Sequence, residues 1–337
     1  MVREMSNLGA NYDRQFANIS TGALPLPEQV QALVDDAYHR FLPETAGANS
    51  TVYPALQRAD PSRFGVCVVG ANGNAYEAGD TGVEFSIMSA VKPFALALVL
   101  EEYGPAHVHQ RIGVNATGLP FNSVSAVEHG AGGRTNPMVN SGAIATVSLL
   151  PGATADEKWA NLHRVLSRFA GRDLGIDEEV YASASATNHR NQAIARLLQS
   201  VDALYADPAE TVDLYTRQCS LAVSARDLAT MGATLACGGV NPLTGERVVS
   251  ASTCHDVLAV MVIAGLYETS GDWLYQVGLP GKSGIGGGIF TVSPGKGGLA
   301  TYSTPLDDAG NSVRGQAVAR YLSQRLGLDL FVSAQPV

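Results

Sequence analysis

The chain has 337 residues, 46% of them apolar and only 16% charged, which is enough to bury a large core and too apolar for a disordered chain. Twenty-two basic against thirty-one acidic residues leave a formal charge of −9 with no basic run, which argues against nucleic acid or an anionic membrane as a partner. The longest strongly apolar stretch, Phe94 to Leu100, is far short of the ~20 residues of a spanning helix, and the start of the chain lacks an apolar leader, so a soluble, cytoplasmic protein with no membrane partner is expected.

In chain order, Phe64 to Val69 and Ala75 to Ala78 read as a hairpin around Asn72-Gly73. Thr154-Ala-Asp-Glu157 is a capping box, followed by Trp159, Leu162, Leu166 and Phe169 at helical spacing until Gly171. A second helix is expected from about Asn188 to Leu204, with Ile194, Leu197, Leu198 and Val201 on its apolar face. A third opens at Ser224-Ala-Arg-Asp227, buries Leu228, Met231 and Leu235, and stops at Gly238-Gly239. Gly288 to Ser293 and Leu299 to Ser303 read as strands, and Val313, Ala317, Tyr321 and Leu322 mark a C-terminal helix ending near Gly327. Strands at both ends around a helical middle suggest an α/β (α+β) fold: a sheet flanked by helices with an all-α subdomain inserted. The boundaries read as an N-terminal extension over 1–24, a sheet subdomain over 25–110 and 246–337, and a helical insertion over 111–245.

The first chemical signal is Ser89-x-x-Lys92. On a helix those positions share a face, and a lysine beside an apolar run loses hydration, so its amine can act as a base toward the serine. The motif alone is common by chance. It gains weight from Lys282-Ser283-Gly284 at the head of a strand, which resembles the Lys-Thr-Gly element of penicillin-recognising enzymes. The glycines that follow precede a strand instead of a helix, which argues against a nucleotide loop. Cys67, Cys219, Cys237 and Cys254 lack close pairing and are expected to be ordinary buried thiols. His107 and His109 have no third ligand nearby, so no metal and no cofactor are expected. Pro93 is tolerable if it falls in the first turn of its helix.

Taken together, these blocks resemble the serine-dependent glutaminase family, whose fold is that of the serine β-lactamases, from about Val52 to Tyr321. The carriers are Tyr53-Pro54, Gly79-Asp80, Phe85-Ser-Ile, Ser89-x-x-Lys92, Gly118-Leu-Pro-Phe-Asn-Ser123, Asn136 to Ile144, Arg190-Asn191, Tyr215 ahead of Cys219-Ser220, Gly265-Leu-Tyr267, Gly278 to Ile289 and Gly310-Asn-Ser312. The resemblance implies an antiparallel sheet and hydrolysis of a carboxamide such as that of L-glutamine. In it Ser89 is the nucleophile, Lys92 its base and Tyr267 the donor to departing ammonia. The N–H groups of Ser89 and Ile285 form the oxyanion hole, and Tyr53, Asn140, Asn191 and Tyr215, with Lys282 and Ser283, hold the substrate. It also implies a homodimer or homotetramer. Two positions depart from the pattern: Met88 stands where the family has glutamine, and Ala184 where it has a glutamate that pairs with the substrate's α-ammonium, although Glu128 could compensate. An amidase for substrates without that charge, a penicillin-binding hydrolase and a non-catalytic binding protein are the alternatives.

Overall fold

The computed structural model describes residues 22–332, so the expected extension over 1–24 lies almost wholly outside the described residues. Seven strands occur there: β1 (Gly65–Gly70), β2 (Ala75–Gly79), β3 (Phe85–Ser86), β4 (Ala222–Val223), β5 (Gly281–Ser283), β6 (Gly288–Ser293) and β7 (Gly297–Tyr302). Five of them form one antiparallel sheet in the order β2-β1-β7-β6-β5, while β3 and β4 pair by themselves. The expected hairpin is β1 and β2, with Gly73 at φ +81° in its turn. β6 has the expected bounds, whereas β7 starts two residues early because Gly297 and Gly298 pair with Ser293 and Val292 instead of staying in the loop.

The central strands are buried on both faces, and their alternation sorts side chains into two cores. Cys67, Val69, Phe290, Val292, Ala300 and Tyr302 join the larger core, shared with the helical part of the chain. Val66, Val68, Ile289 and Leu299 join the smaller one, closed by the helices Pro27–Phe41 and Val313–Arg325. Ser224 and Asp227 form a reciprocal capping box that starts the Ala225–Ala236 helix, and this helix lies directly on β7. Its approach depends on glycine: a Cβ at Gly298 would stand 2.3 Å from the Ala229 carbonyl.

Six of the thirteen α-helices among the described residues begin at a side-chain cap. Thr154 accepts the Glu157 N–H, and Gly171 at φ +76° ends the Ala155–Ala170 helix. The helix expected to reach Leu204 is shorter: it spans His189–Ser200, and Asp202 at φ +57° turns the chain, leaving Val201 exposed. On the Val313–Arg325 helix the buried face is Arg314, Gly315, Val318, Ala319 and Leu322, one position removed from the expected one, so Val313, Ala317 and Tyr321 are only half-buried. Three of the cysteines are buried as expected, but Cys237 is half-buried. Among the described residues, no single helix is long and apolar enough to cross a membrane.

Candidate active site

Ser89 does not open the α-helix, as its motif suggested. It sits in a short 3-10 turn, Met88–Val91, and the helix Lys92–Arg111 starts at the lysine itself, which puts Pro93 in the first turn where its missing N–H is harmless. Met88, immediately before the serine, has φ +49°, and Tyr267 has φ +58°. A left-handed conformation costs a non-glycine residue about 1 kcal/mol or more, so the surrounding packing must hold both in place.

Around this turn the backbone comes very close. A Cβ at Gly284 would stand 2.6 Å from the Ile87 carbonyl and 3.3 Å from Ser89 N, and one at Gly286 would stand 2.2 Å from the Ser86 carbonyl. The glycine run thus exists to let the segment after β5 lie against the nucleophile's turn. That contact brings Ile285, half-buried, beside the same turn. Among the described residues, no backbone carbonyl accepts the N–H of Ser89 or of Ile285.

Lys92 is 1% exposed and forms no ion pair among the described residues. Its Nζ donates to the Met138 carbonyl at 3.2 Å and to Asn140 Oδ1 at 2.8 Å. Burial pulls its pKa down to about 7, offset slightly by nearby Cys219. The loop that supplies these acceptors is itself pinned: Asn136 Oδ1 accepts from Met138 N, and Asn140 N donates to the Phe121 carbonyl at 2.8 Å. Gly142 allows this fold-back, since a Cβ there would stand 1.9 Å from the Asn136 carbonyl.

Asn140 is the hub of a buried row. Its Oδ1 also accepts from Tyr215 OH at 3.2 Å, its Nδ2 donates to Asn191 Oδ1 at 3.1 Å, and Tyr53 lies near enough to Asn191 and Tyr215 to feel both. Burial pushes the Tyr53 phenol up to about 12 and raises that of Tyr215 well above its ordinary value, so both are neutral hydroxyls at pH 7. Tyr53, Asn140, Asn191 and Tyr215, which lie far apart in the chain, thereby meet around one amine.

Tyr267 lies on the other side of the serine. Its hydroxyl donates to the Ser283 carbonyl at 3.0 Å, and the Ser89 hydroxyl is near enough to act on it. Burial raises its phenol far above the usual range, and the nearby side chains of Ser89 and Ser283 oppose part of that shift. The Phe121 ring packs on it at a centroid distance of 4.4 Å. Lys282 and Ser283, expected to help hold the substrate, are both 0% exposed. Lys282 Nζ donates to the carbonyls of Gly265 at 2.9 Å and Ser283 at 2.7 Å and lies 4.1 Å from the Tyr267 ring centroid. This pair holds Tyr267, with the Ser283 carbonyl as the shared acceptor.

The two departures are also located. Met88 is buried in the larger core with its Cγ 3.4 Å from where a Cβ on Gly286 would stand. Ala184 is buried on the Glu178–Thr187 helix, which packs on Pro208–Cys219. Glu128 is exposed on Ser125–His129. Cys219, Met138 and Phe121 belong to the site as well; Cys219 and the 136–144 block were visible in the sequence as motif members, but nothing in their residue types signalled these contacts. Among the described residues, no three His, Cys, Asp or Glu side chains converge as a metal site would require.

An antiparallel sheet covered by helices on both faces, with a Ser-x-x-Lys turn packed against the end of β5, is the serine β-lactamase-like fold. The profile of the Glutaminase family matches residues 47–331. Glutaminase 2 of Yersinia pestis is 62% identical over 315 residues, covering 94% of this chain and 93% of that one. A glutaminase of Colwellia psychrerythraea is 50% identical, covering 90% and 99%. Among solved structures, the probable glutaminase ybaS superposes with a TM-score of 0.89 at 45% identity, covering 91% of this chain and 99% of that one. The chain belongs to the glutaminase family.

Proposed function

We propose that the protein hydrolyses the side-chain carboxamide of glutamine, giving glutamate and ammonia through an acyl-enzyme on Ser89. The observation that carries this reading is Lys92, a buried amine held by two oxygen acceptors with its pKa brought down to about 7. A neutral amine has two N–H bonds and one lone pair. With both N–H groups committed to Met138 and Asn140, the lone pair is the part left to accept the Ser89 proton. Ser89 Oγ then attacks the carboxamide carbon, and the N–H groups of Ser89 and Ile285 receive the oxyanion; such donors are typically worth ~10²–10³ in rate each. Collapse of the tetrahedral adduct needs a proton on the departing nitrogen. Tyr267, whose hydroxyl lies near Ser89, can deliver it and be reprotonated from Lys92. Water repeats the sequence on the ester, Lys92 taking its proton and Ser89 regaining one. Ammonia release from glutamine by the wild type and its loss in Ser89→Ala is the expected result; a Ser89→Ala variant that still releases ammonia overturns the mechanism.

A second reading concerns the other end of the substrate. The positions expected to face an amino-acid head, Met88 and Ala184, are apolar and buried. No carboxylate is among the groups acting on Lys92, Lys282, Tyr53 or Tyr215, whereas Glu268 acts on Tyr267. This supports better turnover of glutamine derivatives whose α-nitrogen is uncharged or acylated, since an unpaired buried ammonium costs about 3–5 kcal/mol. A higher kcat/KM for free glutamine than for N-acyl and des-amino glutamines rules it out. The family resemblance supports a homodimer or homotetramer; light scattering tests it, and a monomer overturns it. The low charge content and unpaired cysteines support a cytoplasmic location.

A further inference from the structure

The Gly310-Asn-Ser312 block takes no part in the chemistry at Ser89, yet it lies against two groups that do. A Cβ on Gly310, at φ +92°, would stand 3.3 Å from Ile285 Cγ2 and 3.8 Å from Tyr267 Cε2. Asp307 stiffens this loop: its Oδ1 accepts from Ala309 N at 3.0 Å and Asn311 N at 2.9 Å, its Oδ2 accepts from Gln316 Nε2 at 2.8 Å, and its own N–H donates to the Asn311 carbonyl at 2.8 Å. Ser312 then caps the Val313–Arg325 helix. Asn311 is wholly buried; its Nδ2 donates to Thr269 Oγ1 at 3.0 Å, while its Oδ1 has no partner among the described residues. A buried amide left half unsatisfied costs stability, so the residue is explained by what its one side-chain bond holds. Thr269 ends the 3-10 turn Tyr267–Thr269, its Oγ1 donating to the Leu266 carbonyl at 2.8 Å, and Ser270 Oγ donates to the Tyr267 carbonyl at 2.7 Å. Those bonds shape the turn from within, whereas the Asn311 bond ties it to a segment 42 positions further on.

We infer that Asn311 is a positioning residue for Tyr267: it clamps Thr269, two positions later, so that the turn keeps the phenol at the Ser283 carbonyl and within reach of Ser89. The inference rests on the reading of Tyr267 as the donor to departing ammonia. Two features make a clamp necessary. Tyr267 holds φ +58°, a conformation that persists only where neighbouring structure enforces it. Proton transfer also needs donor and acceptor within roughly 2.6–3.2 Å, so slack in the turn slows protonation of the nitrogen without weakening ground-state binding. Asn311 acts through Thr269 and not on the substrate.

The test compares glutamine hydrolysis by the wild type, Asn311→Ala, Thr269→Val, Thr269→Ser, Tyr267→Phe and the double variant Asn311→Ala with Tyr267→Phe. Loss of the clamp in Asn311→Ala or Thr269→Val lowers kcat about tenfold, the scale of one hydrogen bond, with little change in KM. Thr269→Ser keeps the acceptor and recovers most of that loss. In the Tyr267→Phe background Asn311→Ala lowers kcat by less than about twofold more, because the hydroxyl it positions is gone; a residue that only stabilised the fold would cost the same factor in both backgrounds. Wild-type kcat in a folded Asn311→Ala, a Thr269→Ser as impaired as Thr269→Val, or an equal loss in the two backgrounds each overturns the role. If Asn311→Ala fails to fold, the Thr269 pair decides. Wild-type kcat in Tyr267→Phe instead sinks the proton-donor reading on which the clamp rests.

Discussion

Replacing Lys92 with methionine keeps the length and bulk of the side chain but removes its titration, and the consequence for stability can be worked out from its burial. In the unfolded chain the amine is protonated up to its ordinary value of 10.5, while in the folded protein it stays neutral down to about 7. Between those limits the unfolded state binds one more proton than the folded state. Wild-type stability therefore rises with pH across that window, by about 1.4 kcal/mol per unit, and the contribution is flat outside it. The full window corresponds to roughly 4–5 kcal/mol by which the wild type is penalised at low pH and Lys92→Met is not. Methionine also leaves the Met138 carbonyl without its side-chain donor and Asn140 Oδ1 with Tyr215 OH alone, a loss of about 1–3 kcal/mol that does not depend on pH. Urea unfolding of both proteins at roughly pH 7.5 and 9.5 separates the two effects: the stability difference should shift by about 3 kcal/mol in favour of the wild type at the higher pH. A difference that stays constant with pH refutes the reasoning, because it would mean that the amine keeps its proton on folding, and an ammonium could not serve as the base.

For the wild type, kcat/KM for glutamine should fall as the pH drops through about 7, where Lys92 takes up a proton; a limb near the carboxylate range would point to another base. Tyr267→Phe should lower kcat by roughly 10²–10³ with a much smaller change in KM, since the hydroxyl serves the leaving nitrogen and not the ground state; equal losses in both parameters would argue for simple binding. Gly286→Ala places a methyl 2.2 Å from the Ser86 carbonyl and should lower both the melting temperature and the activity; wild-type behaviour in both would show that the segment after β5 does not press on the nucleophile's turn. Lys282→Met should impair kcat more than KM, because its amine holds the carbonyls around Tyr267; a loss confined to KM would return Lys282 to the substrate.

What the sequence showed most clearly was whatever depends on neighbours along the chain. The Ser224 and Asp227 capping box, the Thr154 cap and the Asn72-Gly73 turn are local bargains between a side chain and a nearby backbone group, and each formed where its residues lie. The helix ending at Ser200 was overestimated because Val201 continues the apolar spacing, while the turn at Asp202 depends on a backbone angle that residue type does not announce. At the site, Ser89, Lys92, Tyr267 and the residues around Asn140 were legible as motif members, but the direction of their contacts was not. Lys282 reads as part of a Lys-Thr-Gly-like element that holds the substrate, while its amine is turned onto backbone carbonyls, since its orientation is decided by Gly265 and Ser283 in space. The left-handed angles at Met88 and Tyr267 have no local signal either, as both are imposed by packing between distant segments.

The small pairing of β3 with β4 joins Phe85 to Val223 and Ser86 to Ala222, while Ile87 N donates to the Leu221 carbonyl at 2.9 Å. These bonds sew the strand leading to Ser89 onto the stretch just after Cys219, more than a hundred positions further along. A folding intermediate that has completed only the sheet, or only the helices, lacks that seam and with it the spatial relation between nucleophile and base. Recovery of turnover during refolding should therefore lag behind the return of helical signal and coincide with final docking, which makes catalysis itself a reporter on the last step of assembly.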